Sequence, residues 1–262
     1  ENTSTSTVEE NADGTYTITL TVVIGLITIG LAIKSGMFPF HWWMPDTYGT
    51  ATPSASGILS GVVSKGYIFL LLKMIYRVIG VEVYMESGIN NILFVFGICG
   101  MIVGSVSAIR TSNITFMTAY SSAAQIGYIY MGIGLGTKEA LLASLFQIVA
   151  HALTKPMLFL AVGGLSDTVG GKQDFDSLRS SAHYNKPAGI AFAAGALSMV
   201  GIPIFAGFVP KLLYSISAFG HSGKTYVVLI ALALSTILNV IYFLRTLINI
   251  YSPAIVTLER KR

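Results

Sequence analysis

The chain has 262 residues, of which 53% are hydrophobic and only 11% are charged. A soluble domain carries about 25% charged residues, so this composition excludes a water-soluble globular protein and indicates an integral membrane protein. The net charge of +4 comes from basic residues scattered along the chain, and no nucleic-acid partner is implied. The single cysteine, Cys99, excludes a disulfide framework and a CxxC metal or redox motif.

Long apolar stretches recur along the whole chain. A helix crosses the hydrocarbon core with about 20 mostly apolar residues, and about seven stretches meet that requirement. They lie near residues 16–38, 54–80, 90–109, 114–134, 138–166, 188–220 and 225–251. Because the alternating pattern of a membrane barrel does not occur, the predicted fold is all-α, a polytopic bundle of about seven transmembrane helices.

Polar segments divide the chain into a polar extramembrane segment (1–15), a transmembrane domain (16–251) and a basic tail (252–262). Basic residues are most frequent after the third, fifth and seventh apolar stretches. The positive-inside rule therefore predicts an external N-terminus and a cytoplasmic C-terminus. The one long connection, 167–187, is expected to lie along the membrane surface, partly helical, with Phe175 and Leu178 facing lipid.

Proline motifs interrupt three of the apolar stretches. The first contains GMFPFHWWMPD, the fifth HALTKP and the sixth VGIPIFAGFVPK. Proline removes a backbone donor and clashes with the preceding turn, so a helix breaks or kinks there. Membrane helices tolerate such breaks only where protein or a water-filled cavity satisfies the freed backbone groups. A lysine lies beside each interruption, which makes these positions candidates for function.

Lysines inside the spans are energetically unfavourable. On an insertion scale each costs about 2.5 to 3.5 kcal/mol near the bilayer centre. Lys73, near the outer end of its span, can extend its ammonium to the interface, which is the simpler interpretation. Lys65 lies two turns deeper between Ser64 and Gly66, whose small side chains leave space for water. Lys34 precedes a helix break whose free carbonyls can solvate an ammonium.

Three further residues complete the candidate set. His151 and Lys155 are four residues apart, so they share one face of a helix, although a lone buried histidine is more often a core residue. Lys211 follows the second proline of the sixth stretch. Burial disfavours a charged lysine and a carboxylate favours it, so a row of lysines with water between them can relay protons. All twelve acids lie outside the spans or near their ends, so the counter-charge must come from elsewhere.

Four motifs carry a family resemblance. GMFPFHWWMPDTYGTATPSASGILSGVVSKGYIFLLLK, AYSSAAQIGYIYMGIG, HALTKPMLFLAVG and GIPIFAGFVPK occur in this order and cover roughly residues 16–251. Together they resemble the antiporter-like subunits shared by respiratory complex I, the Mrp sodium/proton antiporters and the membrane-bound hydrogenases. That family has about fourteen helices, arranged as two inverted five-helix repeats that each contain a broken helix, and this chain is similar to the C-terminal half.

The resemblance implies roles for the candidate residues. Lys34 matches the lysine of the span that ends in the second repeat's broken region, and Lys65 matches the lysine of the following helix. His151 matches the central histidine, and Lys155 a basic position beside it. Lys211 matches the terminal lysine or glutamate that faces the exit channel. The transmembrane domain is then expected to be a proton channel.

The same resemblance implies what lies outside the chain. The first repeat, with the glutamate that pairs with the Lys34 position, and the family's last helix are expected to be missing here, and the stretch TSNITFMT departs from the family pattern. The expected partners are other membrane subunits, lipid, and protons or sodium. The chain should hold no cofactor, because electrons of an oxidoreductase complex would move in other subunits of the prokaryotic cell membrane.

Alternative functions remain open. A sodium/proton antiporter would use the same residues without redox chemistry, although sodium would need oxygen ligands from hydroxyls, carbonyls or a partner. A structural subunit, retained only for assembly, would gain stability by losing its buried lysines. Direct catalysis lacks support, because glycine-rich stretches such as GIGLG lie in spans without the strand and helix of a dinucleotide site.

Overall fold

The computed structural model of the chain describes residues 18–219 and 223–253. The predicted segment 1–15 and most of the predicted tail 252–262 lie outside the described residues. In the described ranges the regular secondary structure is helical, and strand geometry is limited to one isolated bridge between Asn113 and Asp174. The predicted all-α class is therefore confirmed.

The α-helices of the described ranges follow one another with short connections, except for the long one between α8 and α9. In chain order they are α1 (Ile18–Ser35), α2 (Trp43–Thr50), α3 (Pro53–Ile58), α4 (Ser64–Met74), α5 (Val81–Glu86), α6 (Ile89–Arg110), α7 (Ile114–Leu135), α8 (Lys138–Asp167), α9 (Ser181–Tyr184), α10 (Lys186–Val200), α11 (Phe208–Phe219) and α12 (Thr225–Tyr251).

Five helical stretches of the described ranges are long and apolar enough to cross a membrane. They are Leu20–Thr50, Pro53–Ile79, Ile89–Arg110, Lys138–Asp167 and Thr225–Tyr251. The remaining two predicted stretches correspond to α7 and to the pair of shorter apolar helices α10 and α11. The expected bundle of broken and continuous membrane helices is thus present.

The three proline motifs have different effects on their helices. α1 ends at Ser35, and a 3₁₀ turn (Phe40–Trp42) separates it from α2, as predicted. The sixth stretch is also broken, because α10 ends at Val200 and α11 begins at Phe208. In contrast, α8 continues through Pro156 without a break. Two π-helical turns that the sequence did not predict, Leu59–Val63 and Ile75–Ile79, interrupt the second span.

Helix α7 occupies the centre of the bundle. All of its residues except Phe116 and Tyr120 are buried. It packs closely on α6 through glycines: a Cβ atom on Gly104 would lie 2.7 Å from the backbone nitrogen of Ala124 in α7. Small residues at such positions let membrane helices approach closely enough for their backbones to touch. The central position brings polar side chains of α7 next to the π-helical turn Leu59–Val63, α8 and α12.

The long connection after α8 folds back onto the bundle. Phe175 is 7% exposed and Leu178 is fully buried, within a core cluster that also contains residues of α8, α10 and α12. The prediction that both face lipid is wrong. Backbone hydrogen bonds from Ile114 to Gln173 (2.9 Å) and from Phe175 to Ser112 (3.1 Å) hold this segment against the start of α7. The two apolar side chains consequently point into protein.

Candidate functional site

Two helix irregularities face each other near the middle of the bundle. Pro156 of α8 packs against Gly57 and Gly61, which lie just before and within the first π-helical turn. A Cβ on Gly57 would lie 3.1 Å from the Cα of Pro156, and one on Gly61 would lie 2.6 Å from its Cγ. Because only glycine allows this approach, the segments that carry Lys65 and Lys155 come together.

Lys65 is held by the π-helical turn that precedes it. Its side chain is 3% exposed. The ammonium donates a hydrogen bond of 2.6 Å to the backbone carbonyl of Ser60 and one of 3.0 Å to the Ser64 hydroxyl. A π-helical turn disturbs the regular backbone hydrogen bonds, so a carbonyl becomes available to an ammonium. The predicted burial of Lys65 and its serine neighbourhood are both present.

Lys155 and His151 are completely buried on one face of α8. The Lys155 ammonium donates to the Thr118 carbonyl at 2.8 Å and to the Ser121 hydroxyl, both on α7. Neither ring nitrogen of His151 has a hydrogen-bond partner in the described residues. Lys65 and Lys155 both lie within electrostatic range of this imidazole. The structure therefore brings these three titratable residues into one cluster.

A pair of serine hydroxyls lies between the segments whose carbonyl oxygens accept from the two lysines. Ser60, whose carbonyl accepts from Lys65, shares a hydrogen bond of 2.9 Å with Ser122 of α7. Ser122 donates to the Thr118 carbonyl at 3.3 Å, and this oxygen also accepts from Lys155. Carbonyl oxygens only accept, so this network fixes the positions of the two ammonium groups but does not itself pass a proton between them. Sequence analysis did not single out these serines.

The other residues missed in the sequence are two glutamines. Gln147 Nε2 donates a hydrogen bond of 2.6 Å to Gln125 Oε1 across the α7–α8 contact, and both side chains are 1% exposed. The Nε2 of Gln125 and the Oε1 of Gln147 have no partner in the described ranges. Buried polar groups of this kind are suited to bind internal water. The sequence does contain a pattern that points to Gln147, because Gln147, His151 and Lys155 follow one another every four residues on α8 and so share one face.

Lys211 lies at the break between α10 and α11. Its ammonium donates to the Val200 carbonyl at 2.5 Å and to the Thr236 hydroxyl at 3.2 Å. The broken helix thus presents the negative end of α10 to a cation, which is a favourable arrangement. The ammonium also lies 5.4 Å from the ring centre of Tyr128. One side of this residue borders an open cleft of about 480 Å³.

Lys34 differs from the expectation of a buried relay residue. Its side chain is exposed at the end of α1, and it borders a cleft of about 360 Å³ that also contacts Tyr48, Ser64 and Tyr67. The carbonyl of Ile33 accepts from the backbone nitrogen of Gly36 at 3.3 Å and from the Trp43 indole at 3.0 Å. Lys34 is therefore separate from the buried cluster, but the cleft joins it to Ser64, a hydrogen-bond partner of Lys65.

The site consists of two open clefts and a closed polar interior. One cleft contains Lys34, the other contains Lys211, and Lys65, His151 and Lys155 are buried within the bundle. The described hydrogen-bond partners of Lys65, Lys155 and Lys211 are hydroxyl and carbonyl oxygens. An ammonium in this setting can lose its proton without breaking an ion pair, which suits it to proton transfer.

Comparison with known proteins identifies relatives of the chain. It is 32% identical over 235 residues to NADH-quinone oxidoreductase subunit N of Desulforudis audaxviator, covering 88% of this chain and 46% of the relative. It is 31% identical over 216 residues to the subunit N of Phocaeicola vulgatus, covering 82% of this chain and 44% of the relative. The chain thus spans less than half the length of these curated relatives.

A solved structure has the same fold. The structure of the Mrp complex from Dietzia sp. matches with a TM-score of 0.73 and 27% identity, covering 87% of this chain and 41% of the matched chain. The family described as NADH:quinone oxidoreductase/Mrp antiporter, transmembrane, matches residues 2–238. The buried lysines, the broken helices and these matches agree, and the chain belongs to this family of antiporter-like membrane subunits.

Proposed function

We propose that the chain moves protons as the antiporter-like part of a larger, redox-driven membrane complex. The observation that carries the proposal is the buried cluster of Lys65, His151 and Lys155 inside a membrane bundle, where the described partners of both ammonium groups are hydroxyl and carbonyl oxygens. Charged residues at such depth are costly and mark proton relays in pumps and transporters. The two subunit N relatives are named NADH-quinone oxidoreductase components, which favours a redox-driven complex.

The proposed transfer is electrostatic. A proton that reaches Lys65 disfavours a second positive charge on His151 and Lys155, since like charges at short range repel in a medium of low dielectric constant. Lys155 then releases its proton toward Lys211, which passes it to the cleft at the α10–α11 break. Each transfer between these residues moves one proton from an ammonium to a neutral amine or imidazole, and the last gives the proton to water in the cleft, so the number of protons is conserved.

The proposed input is the cleft at Lys34. An exposed ammonium on a membrane helix calls for an external counter-charge, because in the described residues its own chain supplies no carboxylate hydrogen bond there. A glutamate from another subunit, or from the rest of a longer protein, would meet that need and would change the charge on Lys34. We place the N-terminal side outside the cell and the C-terminal side in the cytoplasm, on the distribution of basic residues.

The test uses the whole complex in sealed vesicles, with Lys211→Ala and wild-type protein compared at equal amounts of assembled complex. Redox-driven proton uptake should occur in the wild type and stop in the variant. A sodium gradient that alone drives uptake would assign the chain to an antiporter, a function that the family's description also names. Unchanged uptake in Lys211→Ala would leave only the structural function.

A further inference from the structure

An open cleft of about 620 Å³ lies between the second span and α8. It is about four helical turns away from the contact between Gly61 and Pro156, toward the end of the second span and the start of α8. The residues of the second span that line it recur at the spacing of one helix face. The second span contributes Phe69, Lys73, Tyr76 and Arg77, and α8 contributes Leu141 and Leu145. The proposed proton relay uses none of these residues.

Two basic side chains lie at one end of the cleft. Lys73 and Arg77 are four residues apart, and both are exposed. Within the part of the chain that the structure describes, neither has a hydrogen-bond partner or an ion pair. Arg77 is two residues from the end of the span Pro53–Ile79, a position from which a long basic side chain reaches the headgroup layer. These two positive charges therefore need a counter-charge from outside the described residues.

The other end of the cleft is apolar. Phe69, which is 47% exposed, lies one turn deeper in the second span than Lys73, and Leu145 lies one turn deeper in α8 than Leu141. Tyr76 lies between the two basic residues in sequence, and tyrosine is enriched at the headgroup level of membranes. The cleft is consequently basic near the membrane surface and apolar toward the hydrocarbon core.

A phospholipid matches both ends of this cleft. A phosphate accepts hydrogen bonds from an ammonium and from the two-pronged guanidinium of arginine, and basic pockets between membrane helices bind anionic headgroups. An acyl chain covers apolar walls that a small soluble anion would leave in contact with water. A carboxylate of another protein subunit would likewise satisfy the charges without filling the apolar end.

We propose that this cleft binds an anionic phospholipid, whose phosphate contacts Lys73 and Arg77 and whose acyl chain lies against Phe69 and Leu145. The inference goes beyond proton movement and does not depend on it. The bound lipid contacts both the second span and α8, at the end of these helices that is remote from the Gly61–Pro156 contact.

The experiment measures the binding of phosphatidylglycerol to the purified, assembled complex, by native mass spectrometry during a titration in detergent. Lys73→Gln combined with Arg77→Gln should weaken binding about thirtyfold, because each basic residue near a membrane surface contributes about 1 kcal/mol and a factor of ten corresponds to about 1.4 kcal/mol. Lys73→Arg keeps the charge and should bind like the wild type. Phosphatidylcholine with the same acyl chains carries no net charge and should bind more weakly than phosphatidylglycerol.

Arg110→Gln combined with Lys172→Gln is the matched control, because it removes one arginine and one lysine that are exposed and do not line the cleft. Its binding should equal that of the wild type. An equal loss in this control would indicate diffuse attraction by net charge and would overturn the site, as would equal binding of phosphatidylcholine by the wild type.

Two further outcomes would assign the basic residues to a different ligand. Displacement of the lipid by inorganic phosphate at constant ionic strength would indicate a site for free phosphate and overturn the lipid proposal. If the Lys73→Gln, Arg77→Gln variant instead lost a subunit, with unchanged lipid binding by the remaining complex, the two charges would pair with a carboxylate of that subunit, which would also overturn it.

Discussion

The ammonium of Lys211 donates a hydrogen bond of 2.5 Å to the carbonyl of Val200, across the break between α10 and α11. Gly201, directly after that carbonyl, has a φ of 88°. A Cβ at this position would lie 2.7 Å from Cδ of Lys211. The backbone conformation and the space around Lys211 therefore both depend on glycine at the break.

Gly201→Ala is expected to displace the lysine side chain. The positive φ costs a non-glycine residue about 1 to 2 kcal/mol, and the new methyl group occupies the space of Cδ. Redox-driven proton uptake should fall close to that of Lys211→Ala, while the protein still assembles. Gly30→Ala is the control, since no other atom lies within 4 Å of a Cβ at Gly30. Wild-type uptake in Gly201→Ala would show that the Val200 contact is dispensable.

The second prediction concerns the hydrogen bond between Ser60, in the first π-helical turn, and Ser122 of α7, here called the serine bridge. Ser122→Ala removes the hydroxyl that joins Ser60 to the Thr118 carbonyl. Because the segments whose carbonyls hold Lys65 and Lys155 are then no longer joined, the two ammonium groups lose their positions and proton uptake should fall about tenfold. Adding Ser60→Ala should cause little further loss, as both changes break the same connection.

Measured initial rates in vesicles would check the serine bridge, with Ser54→Ala as the control at an exposed serine. Additive losses in the double variant would show that Ser60 and Ser122 act separately. In that case the hydrogen bond of 2.9 Å between them does not position the two lysines.

Lys155→Met should separate stability from function. The variant removes a fully buried ammonium and keeps a long flexible side chain. Replacing a buried charged group with an apolar one is often neutral or stabilising, here by about 1 to 3 kcal/mol. Thermal unfolding in detergent should shift to a higher temperature while proton uptake is lost.

A structural role for Lys155 gives the opposite pattern. If Thr118 and Ser121 depend on the ammonium for stability, Lys155→Met will unfold at a lower temperature and assemble poorly. Leu158→Met, three residues along α8 and fully buried, is the control for the volume change and should leave uptake unchanged.

The segment after α8 offers a test of the fold itself. Leu178 is fully buried among core residues, so Leu178→Ala should lower the free energy of unfolding by about 2 to 5 kcal/mol, the usual cost of a buried leucine. A leucine that faced lipid would cost much less. Thermal unfolding of the purified protein distinguishes a buried Leu178 from one that faces lipid, with Leu153→Ala at an exposed leucine as the comparison.

Sequence by itself determined the features that depend only on residues close together in the chain. Apolar stretches of sufficient length predict membrane helices, and proline with glycine predicts the breaks after Ser35 and Val200, since both effects act on the backbone of the residues concerned. The free-energy cost of a lysine in hydrocarbon also depends on the residue type alone. The sequence therefore predicts Lys65, Lys155 and Lys211 as candidates without a structure.

Only the tertiary structure decided which faces of these helices meet. Ser60 and Ser122 are 62 residues apart in the sequence and 2.9 Å apart in space, and the contact depends on glycines that let Pro156 approach the π-helical turn. The same packing leaves Lys34 at an open cleft and buries Leu178. Hydropathy records how apolar a residue is, whereas the neighbour it meets depends on how separate helices pack.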